Sequence, residues 1–341
     1  MVSGEQANTV GPSWQPDILG EPFEQLTLDL ADDFQGEVVA TLVRRRESPL
    51  RRLASLFDDE AVARGWDVLY VHGWSDYFFQ TELAEYWHSQ GARFFALDLR
   101  KYGRSLRDHQ TPGYVANLAE YDEDIEAALS AMGHGHGMQS TRRLLVMGHS
   151  TGGLTMSLWV DRNPERAHAL VLNSPWLEFQ AGAFGRRALA PLASIGARLD
   201  PRAQLPNVDL GFYSRAVSSA MDGEWEYNTE WRPARGFPAH PAWLAAVFAG
   251  HQRVAAGLSI EVPVLSLVSA RSTLSVTWSE QMLSSDSVLV VDEIAEQSLR
   301  LAPTVTVAKI PGAIHDVLLS AQPVRSYAFA QITRWARAYL R

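Results

Sequence analysis

The sequence predicts an α/β fold, a mostly parallel central sheet with helices on both faces, broken once by an insertion. Three observations carry this reading. Short apolar runs at 68–71, 94–99, 144–147, 169–173, 262–268 and 305–310 recur along the chain, separated by stretches of helical character. A strand, a tight turn and a helix follow one another without a gap across 144–159. The alternation stops after 176 and resumes near 260.

Taken in order, residues 1–21 are polar, bear Pro and Gly, and read as a loosely held N-terminal arm. The segment 23–30 alternates polar and apolar residues, as a half-buried strand does, and 36–43 can pair with it as an antiparallel hairpin. The basic run Arg44, Arg45, Arg46, Arg51 and Arg52 reads as a solvated loop more readily than as an anion site, given the acidity of the whole. The strand at 68–71 ends in His72-Gly73-Trp74. A helix is expected over 79–89 and an amphipathic helix over 121–132, whose acidic start suits the positive end of the helix dipole. His134-Gly135-His136 lies in a Gly-rich turn with no third ligand at a familiar metal spacing.

The stretch 177–259 has no strand–helix rhythm but carries Phe184, Trp225, Tyr227, Trp231, Phe237 and Trp243. Ligands bind at the carboxyl ends of parallel strands, so an aromatic insertion there reads as a lid, or cap, over the site. The expected division is therefore an arm at 1–21, a core at 22–176 and 260–341, and the lid at 177–259. A closing helix is expected over 323–340.

Composition narrows the function classes. With 46% hydrophobic and 20% charged residues, the 341-residue chain fits a soluble globular protein with a sizeable core. A formal net charge of −9 argues against nucleic acid as a partner. The absence of cysteine excludes disulfides, thiolate catalysis and cysteine metal sites. Neither a secretory apolar core near Met1 nor an apolar run long enough for an integral membrane span is visible, so a cytoplasmic location is expected. There is no Gly-rich phosphate loop after the first parallel strand, and no cofactor or metal is expected.

The chemistry centres on Gly148-His149-Ser150-Thr151-Gly152. Its strand-before, helix-after setting is that of a nucleophile elbow, in which a sharp turn lifts the serine hydroxyl out of the sheet. The competing reading is a Gly-rich turn with an idle serine. A serine hydroxyl needs a base, and the base needs an orienting acid. His315 follows the last strand, where the base belongs in this chain order. Asp286, 29 residues before it, is the first choice for the acid, with Asp292 as the alternative. Asp286 could equally cap the helix that follows it. The oxyanion formed on attack requires two backbone N–H groups. Thr151 supplies one, Trp74 the other, and His72 buttresses the Trp74 loop.

These residues, with the segment Asp98-Leu99-Arg100-Lys101-Tyr102-Gly103-Arg104-Ser105 and Gly312-Ala313-Ile314-His315, resemble the α/β-hydrolase superfamily. Within it the chain is similar to the branch of monoacylglycerol lipases, lysophospholipases and serine aminopeptidases. The resemblance spans about 22–176 and 262–341 but not the lid. It implies hydrolysis of an ester or related acyl bond without a cofactor, and a structural part for Asp98. The stretch 269–285 ahead of the acid is longer than the family pattern. A serine esterase of lipase type is expected, acting on a small, apolar acyl ester through an acyl-enzyme on Ser150. Two alternatives stand beside it. One is an amide-cleaving aminopeptidase that holds a substrate ammonium with Glu178, Glu224, Glu226 or Glu230. The other is a non-catalytic homologue that binds a ligand beneath the lid.

Overall fold

The computed structural model describes residues 13–47, 61–179, 195–206 and 209–340. Most of the expected arm, together with Arg51, Arg52 and Phe184, lies outside them.

The elements run β1 (Gln15–Pro16), β2 (Phe23–Asp29), β3 (Val39–Arg45), β4 (Trp66–Val71), α1 (Thr81–Ser89), β5 (Arg93–Asp98), α2 (Tyr121–Met132), β6 (Arg143–His149), α3 (Thr151–Arg162), β7 (Ala169–Asn173), α4 (Phe212–Val217), α5 (Pro241–Ala256), β8 (Val264–Ser269), α6 (Val291–Ser298), β9 (Val305–Ile310) and α7 (Gln322–Tyr339). The nine strands form one sheet in the order β1-β2-β3-β5-β4-β6-β7-β8-β9. β1, β2, β3 and β5 pair antiparallel in succession, and every pairing from β5 across to β9 is parallel.

Continuous apolar runs mark the central strands because both of their faces are covered. β4, β7 and β8 are buried along their whole length. On one face, Ile125 and Leu129 of α2, Leu154 and Leu158 of α3, Val247 and Val254 of α5 and Ile294 of α6 share a core with strand residues such as Val146 and Leu170. On the other, Leu83 and Trp87 of α1 and Ala328, Ile332 and Trp335 of α7 pack over Val68, Leu145 and Val171. A mostly parallel sheet with helices on both faces is the expected architecture.

Three details differ from the sequence reading. The described end of the arm, from residue 13, is docked: β1 pairs with β2, and the buried Asp17 carboxylate receives Arg104 Nε at 2.6 Å and Nη2 at 2.9 Å. Arg104 also pairs with Asp98, so it ties the arm to the C-terminal end of β5. The 16-residue helix α5 falls within the expected lid range, yet it packs on α3, where a Cβ on Gly250 would lie 3.1 Å from Leu158 and 3.2 Å from Leu154. Its apolar residues Trp243, Val247 and Val254 join the main core, so that part of 177–259 behaves as body. The described arginines of the basic run are ion-paired: Arg44 with Glu24 at 2.7 Å, Arg45 with Glu85 at 2.7 Å and Arg46 with Glu21 at 2.8 Å. Among the described residues, no helix is long and apolar enough to cross a membrane.

Candidate active site

The turn between β6 and α3 places Ser150 at the tip of a central strand with φ +50° and ψ −117°. A non-glycine residue rarely adopts that conformation, and its neighbours hold it there. A Cβ on Gly148 would lie 2.4 Å from the Gly152 carbonyl oxygen, and one on Gly152 would lie 2.2 Å from the His72 carbonyl oxygen. Only glycine at both places lets strand, turn and helix close this tightly. The Ser150 N–H donates to the Asn173 carbonyl at 3.1 Å, and Trp176 N–H donates back to the Ser150 carbonyl at 2.9 Å.

Three of the residues singled out from the sequence meet in one line. His315 Nε2 lies 3.1 Å from Ser150 Oγ, and His315 Nδ1 lies 2.9 Å from Asp286 Oδ2. A carboxylate can only accept, so Nδ1 carries the proton and Nε2 faces the serine as an acceptor. Asp286 is buried, and its other oxygen accepts from Val288 N–H at 2.7 Å and Leu289 N–H at 2.8 Å. It therefore caps the turn before α6 and orients His315 at once.

The long stretch ahead of Asp286 has a visible purpose. After β8 the chain loops out and returns, so that Asp286 forms a parallel bridge with Ser272. Its N–H donates to the Arg271 carbonyl at 3.0 Å and its carbonyl accepts from Thr273 N–H at 2.8 Å. That rung fixes the carboxylate beyond the end of β8. Asp292, the alternative, points elsewhere: it pairs with Lys309 at 2.5 Å and its side chain is 81% exposed.

The His72-Gly73-Trp74 loop passes directly beside the serine. A Cβ on Gly73 would lie 3.1 Å from Ser150 Cβ. His72 holds the loop from behind, donating from Nδ1 to the Gly73 carbonyl at 2.7 Å and accepting Leu99 N–H on Nε2 at 3.1 Å. Burial keeps this imidazole below its ordinary pKa, which suits an acceptor nitrogen. Thr151 follows Ser150 as the first residue of α3, and Trp74 follows Gly73 in the loop that passes the serine. Asp98 takes no part in this line. Its Oδ1 accepts Phe78 N–H at 2.9 Å, and its Oδ2 accepts Arg104 N–H at 3.1 Å and Arg104 Nη1 at 2.8 Å.

Asn173 and Tyr213 carried no sequence signal. Asn173 joins the Ser150 turn to the 315–317 loop, its carbonyl accepting from Ser150 N–H and from His149 Nδ1, the latter at 3.1 Å. Its amide donates to Asp316 at 2.6 Å and its side-chain oxygen accepts Val317 N–H at 3.0 Å. Tyr213 of α4 sets its ring edge-on to His315 with centroids 5.1 Å apart. The aromatic rings of Trp74, Trp243, Trp176 and Phe179 form a row, with ring centroids 3.7 Å apart for Trp74 and Trp243, 6.1 Å for Trp176 and Trp243 and 6.2 Å for Trp176 and Phe179. Two of the four acidic residues considered for an ammonium, Glu178 and Glu224, have other partners. Glu178 is buried and accepts Phe179 N–H at 2.8 Å and Gln297 Nε2 at 3.3 Å, and Glu224 pairs with Arg325 at 2.5 Å.

Comparison with known proteins agrees with the geometry. The profile of the Hydrolase_4 family, described as serine aminopeptidase S33, matches residues 64–318. A monoacylglycerol lipase of Mycolicibacterium smegmatis is 24% identical over 279 residues, covering 80% of this chain and 88% of the relative. The soluble variant of a Saccharomyces cerevisiae monoglyceride lipase, solved with a substrate analogue, superposes with a TM-score of 0.61 at 14% identity, covering 98% of this chain and 99% of that one. A Paleococcus ferrophilus monoacylglycerol lipase gives a TM-score of 0.56 at 20% identity, covering 80% of this chain and 94% of that one. At these identities the two structures establish the fold.

Proposed function

Since this chain belongs to the Hydrolase_4 family of α/β-hydrolases, the serine aminopeptidase S33 group, we propose that it is a serine hydrolase cleaving the carboxylic ester of a lipid such as a monoacylglycerol. The observation that carries the proposal is the unbroken hydrogen-bond line from Asp286 through His315 to a Ser150 held at positive φ.

In this reading Ser150 Oγ attacks the acyl carbon while His315 Nε2 takes its proton. Asp286 keeps the imidazole in the tautomer that can accept and stabilises the imidazolium that results. Negative charge moves onto the carbonyl oxygen, where the Trp74 and Thr151 N–H groups and the positive end of α3 receive it. The tetrahedral intermediate collapses to an acyl-enzyme. The departing alcohol leaves with the proton from His315. Water, deprotonated by the same nitrogen, then releases the acid and frees Ser150. The aromatic row of Trp74, Trp176 and Trp243 suits an apolar acyl chain or alcohol. The described part of 177–236 is assigned the role of a cover over this site. The buried, already bonded Glu178 and the Arg325-paired Glu224 favour ester over aminopeptide substrates.

The test is release of p-nitrophenol from a series of acyl esters, acetyl to dodecanoyl, together with the mass of the protein after a fluorophosphonate. Turnover, and one adduct located on Ser150, are expected. Ser150→Ala should lose both, with kcat lower by about 10⁵-fold or more. Absence of ester turnover and of an adduct in the unaltered protein overturns the reading, and hydrolysis of amino-acid arylamides in place of esters moves it to amides.

A further inference from the structure

Four consecutive residues that follow Gly73 are each held by a residue of 228–243, which runs from the inserted stretch into the start of α5. The Trp74 ring lies against Trp243, with centroids 3.7 Å apart. Ser75 Oγ accepts the Phe237 N–H at 3.0 Å. Asp76 Oδ1 receives Arg232 Nε at 3.1 Å. Tyr77 Oη accepts the Asn228 N–H at 2.7 Å. The loop that carries the Trp74 N–H is thus bonded, residue by residue, to 228–243.

The centre of this grip is an ion pair taken wholly out of water. Both side chains are 4% exposed. Burial pushes the Asp76 carboxyl up, Arg232 is the foremost influence bringing it back down, and Asp316 adds like charge from the His315 loop. Aromatic faces surround the guanidinium: it lies 4.6 Å from the Tyr227 ring centre and 5.0 Å from that of Tyr213. Such a pair contributes little net stability compared with apolar residues of the same volume, so its presence invites a geometric explanation. Ser75 supplies one: it is held at φ +52°, a conformation a serine does not keep unless its surroundings impose it.

We propose that Arg232 is a positioning residue: by pairing with Asp76 it braces the 73–77 loop against the insertion, and so sets the Trp74 N–H where the oxyanion forms beside Ser150. The inserted stretch then does more than cover the site. It holds half of the oxyanion hole in register, and substrate contacts made within it act on turnover as well as on binding. This rests on the serine-esterase reading above.

The experiment compares Arg232→Met with Arg232→Lys, and adds Ser75→Ala and Tyr77→Phe, each of which removes one hydrogen bond of the same grip. The readouts are kcat and KM on a p-nitrophenyl ester, and the affinity of a trifluoromethyl ketone, which binds as a tetrahedral oxyanion adduct. A misplaced donor acts on the transition state, so kcat of Arg232→Met should fall about 10- to 100-fold with KM within about threefold. Ketone affinity should fall by the same factor as kcat/KM, and Arg232→Lys should recover part of both. Ser75→Ala and Tyr77→Phe should show the same pattern at about 2- to 10-fold, and they decide the matter if Arg232→Met does not fold. Unchanged kcat, a loss confined to KM, or ketone affinity that does not follow kcat/KM overturns the proposal. A failed esterase reading looks different, because the unaltered protein would then neither turn over the ester nor take up the ketone, and both ideas fall together.

Discussion

Two buried aspartates each hold a histidine, at opposite ends of the same sheet, and a serine lies near each pair. At the carboxyl ends of the strands, Asp286 holds His315 at 2.9 Å beside Ser150. At the amino ends, about 20 Å away along β6, Asp67 holds His134 at 2.8 Å, and Ser140 Oγ is 3.5 Å from that imidazole. Residue types alone do not distinguish them. The arrangement does. Asp67 and Ser140 both address the same nitrogen, Nε2, so no proton can pass from one side of the ring to the other. Asp286 and Ser150 address opposite nitrogens, as a base with an orienting acid requires. Asp67 is further tied to Arg93 and Arg142, whereas Asp286 spends its other oxygen on two backbone N–H groups. Ser150 is held at positive φ and Ser140 is not. One end has the geometry for proton transfer, and the other is an ion-pair hub that ties the α2–β6 connection to β4.

The sharpest way to break this contrast is to neutralise each carboxylate in turn. Asp286→Asn keeps an oxygen for the Val288 and Leu289 N–H groups but turns an amide N–H₂ toward His315 Nδ1. The imidazole must then carry its proton on Nε2 and can no longer accept from Ser150. We expect kcat to fall about 10³- to 10⁴-fold with little change in thermal unfolding, measured on the p-nitrophenyl ester and by calorimetry. Retention of more than a tenth of kcat would show that Asp286 only caps its turn.

Asp67→Asn should do the reverse, leaving kcat within about twofold and lowering stability. Burial alone would push the Asp67 carboxyl up. Hydrogen bonds from Arg93 and His134, with the Arg142 charge, outweigh that and bring it down to about 2, against 3.8 for a free aspartate. A carboxyl depressed in the folded state contributes stability that is fully present above the unfolded pKa and lost as pH falls through the folded one. The difference between native and variant should therefore be about 2 kcal/mol at pH 7 and shrink between pH 4 and pH 2. Urea denaturation at pH 7, 4 and 2.5 reads it, and a difference independent of pH would mean that shape, not charge, matters there.

The same contrast explains what the sequence could and could not convey. The Ser150 end was legible because its demands are local: a strand, Gly148, Ser150, Gly152 and a helix leave few other structures, and His315 sits in a short loop after the last strand. The hydrogen-bond line shows those residues brought together, with Asp286 as the acid within reach. The hub at Asp67 was not legible, since Asp67 of β4, Arg93 of β5 and His134 and Arg142 of the α2–β6 connection come from three segments and meet only once the sheet is assembled. The docked arm and the Asp76–Arg232 pair were hidden for the same reason, as each joins segments far apart in the chain. The helix α5 was missed because its apolar positions lie on nearly all sides, and such a helix shows no clear 3.6-residue stripe in the sequence.

The smallest effect belongs to Asp292, which the sequence left as a rival to Asp286. Both acids precede His315 and lie near α6, so spacing alone could not choose between them. Their surroundings differ completely. Asp286 is fixed by its bridge to Ser272 and buried, whereas Asp292 stands in the first turn of α6 with its side chain 81% exposed, paired with a Lys309 that is itself 46% exposed. An exposed ion pair of this kind contributes no more than about 1 kcal/mol, and the negative charge near the start of α6 adds a few tenths. Asp292→Asn should leave kcat and KM within about 1.5-fold and cost less than about 1 kcal/mol, an effect that salt screens. Urea denaturation at low and high ionic strength, set beside the Asp286→Asn kinetics, measures the separation. A loss of kcat in Asp292→Asn comparable to that of Asp286→Asn would mean that the acid reaches His315 from α6 during turnover, and the contrast between the two ends of the sheet would then have to be drawn through a moving helix.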